Sequence, residues 1–301
     1  MKLSYTKSPL TFSEQVHLLQ ERGLIVPNSA YAELKLAQIN YYRLSAYMRF
    51  FQDDASHCFR EGTTFEQVIR LYYFDKKLRN LIFYAMEKLE VYFRTTYAYH
   101  TAMEPTLGAF GYTKSAKMHD LEKHASILEA IRRDVDRSKE VFVTHFFSKY
   151  DGDYLPVWMM VEVISFSTLS RLYGNLRAPV QQKIADSVNL NAKVLAGWLH
   201  SLTYVRNLCA HHARTWNKLL AIRPMVPRGN PAFSGLNNRK IFFVLSMIRY
   251  LLEAIDGDEY DFRGELMRLL AAYPDVPLYN MGFPEDWKAR TLWVESKEEK
   301  M

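Results

Sequence analysis

The chain has 301 residues, 49% of them hydrophobic, 14% aromatic and 24% charged, with a formal net charge of +6. That apolar share is enough for a core and excludes wholesale disorder, and the length suits one large domain or two small ones. Two cysteines, Cys58 and Cys209, exclude a disulfide framework and a four-thiolate zinc site.

Gly and Pro are few and fall mostly between periodic segments, which predicts an all-α protein: a helical bundle with a short helical N-terminal leader and a partly irregular C-terminal tail. Thr11-Phe12-Ser13-Glu14 fits a capping box that opens a short helix ending near Gly23. A second short helix is expected from about Ser29 through Asn40-Tyr41-Tyr42-Arg43-Leu44. Thr63-Thr64-Phe65-Glu66 fits a second capping box and opens a long helix. Its apolar positions Leu71, Phe74, Leu78, Leu81, Ala85, Leu89 and Phe93 keep helical spacing, and nothing interrupts it before Glu104-Pro105. Residues 105–120 read as a loop, and helical patterns follow at about 120–149, 156–173, 191–214 and 238–255, with a proline-containing loop from Arg223 to Gly235. The last ~40 residues read as irregular with one more short helix. The division implied is a leader over 1–60, a bundle over 61–256 and a tail over 257–301 packing on it. No apolar run reaches the ~18 residues of a membrane span, since Glu162 and Arg249 interrupt the best candidates. The stretch MKLSYTKSPLTF lacks a signal-peptide core, so a soluble, cytoplasmic protein is expected.

Charge is unevenly distributed. Ser187–Leu252 holds no Asp or Glu and nine Lys or Arg, among them Arg206, Arg214, Arg223, Arg228 and Lys240. The residues before it carry +3 and those after it −6. Basic clustering is the electrostatic footprint of a polyanion site, although a mostly buried helix pair thins its acids too.

Inside that window lies Arg206-Asn207-Leu208-Cys209-Ala210-His211-His212, near the end of a predicted helix. Asn207 and His211, four apart, share a face, and Arg206 lies about 100° round from Asn207. An imidazole can take a proton from an attacking hydroxyl or give one to a leaving oxygen, and a guanidinium can stabilise charge growing on phosphorus oxygens. If the substrate is RNA, its own 2′-hydroxyl can be the nucleophile. The competing reading is purely structural, with Arg and His complementing the helix dipole and capping carbonyls. Arg94 through His100 forms a second Arg-then-His string. Glu90, one turn before Arg94, can pair with it, or Arg94 and His100 can contact substrate. Tyr41, Tyr42, Arg43, Tyr47 and Arg49 can stack and hold RNA or can simply pack. Cys209 reads as a buried small hydrophobe.

These residues resemble the Abi-like (AbiD/AbiF type) family of bacterial abortive-infection proteins, within the HEPN superfamily. The resemblance rests on Gly23-Leu24-Ile25 with Ile39 through Leu44, and on Phe74-Asp75-Lys76-Lys77-Leu78-Arg79 followed by Glu90 and Arg94. It also rests on Arg206 through His212, and on Met281-Gly282-Phe283-Pro284 with Trp287 and Trp293. It implies a HEPN-type bundle and an endoribonuclease that needs neither metal nor other cofactor. Its Arg-polar-x3-His motif falls on Arg206, Asn207 and His211, with His212 as an auxiliary. The resemblance further implies a homodimer whose two motifs meet, RNA as substrate, a small non-coding RNA or an antitoxin as partner, and a toxin-like role in phage defence. Tyr204, Arg214, Arg223, Arg228, Lys240 and Arg43 are the expected RNA contacts, and Glu90, Arg94 and His100 a second motif. A non-catalytic RNA-binding or protein-binding regulator is the rival reading, and a nucleotide transferase a third.

Overall fold

Thr11 opens the first helix as a capping box requires: its hydroxyl accepts from the Glu14 N–H at 3.2 Å, and the Glu14 carboxylate accepts from the Thr11 N–H at 2.7 Å. In the computed structural model, which describes residues 4, 6, 8–256 and 259–294, that helix is α1 (Phe12–Glu21). The chain then forms α2 (Ser29–Ile39), α3 (Tyr41–Met48), α4 (Phe65–Met103), α5 (Leu121–Arg137) and α6 (Val141–Lys149). It continues through α7 (Val157–Val163), α8 (Phe166–Asn175), α9 (Val180–Asp186), α10 (Ala192–Ala210), α11 (Ile241–Asp256) and α12 (Phe262–Ala272). Among the described residues there is no β-strand, only three isolated bridges, so the fold is all-α. None of the described helices is long and apolar enough to cross a membrane.

Two compact units divide the chain, Met1–Leu78 with Tyr273–Val276, and Arg79–Ala272 with Pro277–Met301. The expected bundle-tail division near residue 257 falls in part outside the described residues, which leave out 257–258 and 295–301.

In the first unit the helix expected to run from Ser29 through Leu44 is two helices. Asn40 takes φ +70°, outside helical space, and its side-chain oxygen accepts from the Tyr42 N–H at 2.8 Å, ending α2 and capping α3 in one residue. The second capping box sits one residue later than its sequence suggests. Thr64 accepts from Gln67 N–H at 3.2 Å and donates its own N–H to the Gln67 side chain at 2.9 Å, while Thr63 turns back to the Arg60 carbonyl. Leu19, Leu36, Leu44, Phe65 and Phe74 are buried in this unit. Tyr273 packs edge-on against Phe74, and Arg70 pairs with Asp275 at 2.8 Å.

The second unit divides the expected 120–149 and 156–173 helices as well. Ser138 is extended between α5 and α6, and Ser165 caps α8 by accepting from Thr168 N–H at 3.1 Å. Helix α9, absent from the sequence reading, fills the connection before α10. Residues 241–248 of α11 are buried on every side, the pattern of a central helix. Phe242 gathers the tail around it, with Phe283, Trp293 and Trp287 at ring-centroid distances of 4.1, 5.5 and 6.2 Å. Gly282 makes this possible. It has φ +87°, and a Cβ there would lie 2.5 Å from Lys240 Cβ.

Candidate functional site

Asn191 starts α10 by accepting from Lys193 N–H, and the helix ends at Ala210 in a complete Schellman turn. Ala213 N–H donates to the Leu208 carbonyl at 2.8 Å and His212 N–H to that of Cys209 at 3.0 Å. His211 is the C-cap residue and His212 takes the left-handed position, φ +56°, that glycine usually fills. Asn207, His211 and His212 are all exposed there. Buried Val205 and Cys209 anchor the opposite side of the same two turns, so packing fixes the helix end while the motif faces solvent. The pattern of α10 therefore delivers polar groups to one exposed corner.

Arg206 joins that corner to α4. Its guanidinium stands 5.6 Å from the Phe83 ring centroid, within cation–π range, and its Nε lies 3.6 Å from Glu90 Oε2. Glu90 Oε1 in turn accepts from Arg94 Nη2 at 2.5 Å, and Arg94 also donates to the Val161 carbonyl of α7. Side-chain exposures rank Arg94 at 12%, Glu90 at 15% and Arg206 at 36%. Arg94 is thus the less accessible of the two guanidiniums that flank Glu90, and Arg206 is the one with more solvent access. The 2.5 Å contact is a short charge-assisted bond, whereas 3.6 Å is an ion pair only. Sequence reading paired Glu90 with Arg94 but gave no link to Arg206, and it missed Phe83 altogether. The available signal is helical phase, because Phe83, Glu90 and Arg94 at separations of 7 and 4 lie on one stripe of α4.

The remaining candidates are spread more widely. His100 lies six residues beyond Arg94, about 9 Å further along α4 and about 120° off its stripe. Burial, and then the Lys183 charge, hold its pKa below the usual histidine value. Lys183 is itself paired with Glu104 at 3.2 Å. Arg214 and Lys240 converge on Asn217: Arg214 donates to its carbonyl and Lys240 to its side-chain oxygen, both at 3.4 Å. Lys240 also donates to the Asn280 carbonyl at 3.0 Å, and burial followed by the Arg214 charge lowers its pKa. Arg223 and Arg228 are exposed on the loop that follows. That loop is tied to α10 by the Trp198 indole N–H, which donates to the Met225 carbonyl at 2.7 Å. Tyr204 is half-buried on α10, and Cys209 is buried. Arg43 is exposed on α3, in the first unit. Of the tyrosines considered for stacking, Tyr47 is packing instead: it is 1% exposed and donates to buried Asp75 at 2.6 Å. Among the described residues no three His, Cys, Asp or Glu side chains gather into a group able to hold a metal ion.

No curated protein and no solved structure matches this chain. The family of Abi-like proteins matches it over residues 34–217, a span that runs from α2 to just past the α10 motif and includes Glu90, Arg94, Arg206 and His211. With more than half of its length inside that match, the chain belongs to the Abi-like protein family.

Proposed function

We propose that this chain is a HEPN-type endoribonuclease acting as the toxin-like effector of an abortive-infection phage-defence system, the role its family membership suggests. The observation that carries the reading is the exposed corner of α10, where Arg206, Asn207 and His211 stand together while Glu90 and Phe83 hold the Arg206 side chain. In the reaction, an imidazole accepts the proton of an RNA 2′-hydroxyl as that oxygen attacks the adjacent phosphorus. The bond to the 5′-oxygen breaks, and a second imidazole, in its protonated form, supplies the proton that this oxygen needs. The products are a 2′,3′-cyclic phosphate and a 5′-hydroxyl. A two-fold dimer that brings two α10 ends together supplies both imidazoles from one sequence position, His211, with His212 as an auxiliary. Arg206 stabilises charge on the non-bridging oxygens, and Asn207 orients the phosphate or the imidazole. Arg214, Arg223, Arg228 and Lys240 supply positive charge to the strand, Tyr204 is a further contact, and a small non-coding RNA or an antitoxin restrains the toxin.

The test is cleavage of end-labelled RNA by purified protein in the presence of EDTA. Cleavage that survives chelation and is lost in both Arg206→Ala and His211→Ala supports the proposal. Tight RNA binding without cleavage identifies a non-catalytic regulator instead.

A further inference from the structure

The first unit contains an open cleft of about 670 Å³ between the residues preceding α1, α1 itself, and α3 with the turn after it. Its size lies within the range of small-molecule sites. No Asp or Glu is among the described residues that line it, whereas Arg22 and Arg49 are. These two guanidiniums are differently placed. Arg49 is committed to Asp54, at 2.9 Å, and donates to His57 Nδ1 at 2.5 Å. The Arg22 guanidinium, half-buried at the end of α1, donates to the Tyr41 hydroxyl at 3.2 Å and, among the described residues, pairs with no carboxylate. A partly desolvated guanidinium held by a neutral hydroxyl in an acid-free cleft is an anion site.

Two further features say what accompanies the anion. Tyr41 and Tyr42 meet edge-to-face, with centroids 6.2 Å apart, and Tyr42 is 74% exposed, so a flat ring is left uncovered on the cleft wall. Gln15, on the α1 wall, uses its amide N–H to bond the Leu10 carbonyl, while its side-chain oxygen is buried and, among the described residues, has no hydrogen-bond partner. An unmet buried acceptor is costly, and an N–H brought by a ligand relieves it. Inorganic phosphate at neutral pH offers no N–H and no ring. A phosphate joined to a flat nitrogen heterocycle offers both.

We infer that this cleft binds a nucleotide, with the phosphate on Arg22, the base against Tyr42, and a base N–H directed to Gln15. Two sources have that chemistry, a free mononucleotide and the 5′-phosphorylated end of an RNA strand.

The experiment is isothermal titration of the full chain carrying His211→Ala, so that the readout does not depend on RNA cleavage and survives failure of the nuclease reading. The probes are adenosine, guanosine and uridine 5′-monophosphates, adenosine, inorganic phosphate, and a trinucleotide with and without its 5′-phosphate. Saturable binding of at least one monophosphate is expected, roughly tenfold tighter than either adenosine or phosphate alone. Arg22→Met should weaken it by about tenfold, as expected for one lost charge-assisted hydrogen bond, with an unchanged melting temperature in the absence of ligand. Tyr42→Ala, at an exposed ring that folding does not need, should weaken it by a similar factor and carries the test if Arg22→Met fails to fold. Preference for the 5′-phosphorylated trinucleotide assigns the site to an RNA end, and equal affinity assigns it to the free nucleotide. No saturable binding of any monophosphate, phosphate binding as tightly as the nucleotides, or full affinity in Tyr42→Ala would overturn the inference.

Discussion

Glu90 and Arg206 join α4 to α10 through a 3.6 Å ion pair, while the same carboxylate is held by Arg94 at 2.5 Å. The two contacts are unequal in length and burial, and so are the expected costs of removing each partner. Glu90→Gln takes the charge from between two guanidiniums, one of them 12% exposed, and should destabilise the fold by about 1–3 kcal/mol. Arg206→Ala removes a one-third-exposed side chain held by one long ion pair and a cation–π contact with Phe83, and should cost less, about 1 kcal/mol. Urea unfolding of both variants measures this directly. Equal losses would make Arg206 a structural residue and remove the main reason for placing it at the reacting phosphate.

A second contrast concerns the basic window. Arg223 and Arg228 are exposed, whereas Lys240 is half-buried and bonded to the Asn280 carbonyl. Neutralising Arg223 and Arg228 together should reduce the salt slope of RNA binding by about 1.4 to 1.8 and leave the melting temperature unchanged. Lys240→Gln should lower stability as well, since it weakens a contact that holds residue 280. An unchanged slope in the double variant would place the RNA elsewhere.

Where the sequence could be read, the signals were local. Thr11 and Glu14 announce α1 because both halves of a capping box lie within four residues, and α4 is announced by an apolar stripe that no proline interrupts. Breaks made by one side chain were less legible. Asn40 ends one helix and starts the next through a left-handed backbone and one hydrogen bond, and periodicity carries no trace of either. The α10 motif was legible as a string of residue types. Its attachment to Glu90 was not, because the two partners lie 116 positions apart in the chain and only the packed structure brings them together.

His100 offers a test through pH. Its pKa is lowered first by burial and second by the Lys183 charge. The unfolded chain therefore binds a proton at His100 more readily than the folded one. The sign follows: the folded state is undiminished above the unfolded pKa of about 6.5 and loses stability as pH falls through that value toward the folded pKa. Lys183→Met removes the smaller cause, so the His100 midpoint in an NMR titration should rise while remaining below the unfolded value. His100→Gln should flatten the acid-side decline in stability. A midpoint unmoved by Lys183→Met would mean that burial alone sets it.

Tyr47 was a stacking candidate by sequence and is a core residue by structure. Its hydroxyl bonds Asp75, which is fully buried. Tyr47→Phe keeps the ring and removes one hydrogen bond from a desolvated carboxylate, which should cost about 1–3 kcal/mol. RNA affinity measured well below the lowered melting temperature should be unchanged. A loss of affinity without a loss of stability would give the Tyr47 hydroxyl a part in RNA binding.

His212 occupies the glycine position of a Schellman turn at the candidate site. A non-glycine residue in the left-handed region costs on the order of 1 kcal/mol, though histidine tolerates it better than branched residues do. His212→Gly relieves that cost and keeps the Ala213-to-Leu208 and His212-to-Cys209 backbone bonds that end α10. The melting temperature should therefore rise by a few degrees, about 2–4 °C per kcal/mol for a unit of this size. Cleavage then separates the two histidines. If His211 carries the proton transfer and His212 only assists, His212→Gly should retain a measurable fraction of the rate while His211→Ala retains none. Equal loss in the two variants, in a His212→Gly protein that is more stable than the parent, would assign His212 an essential role in the chemistry, with the backbone strain at the helix end serving to place it.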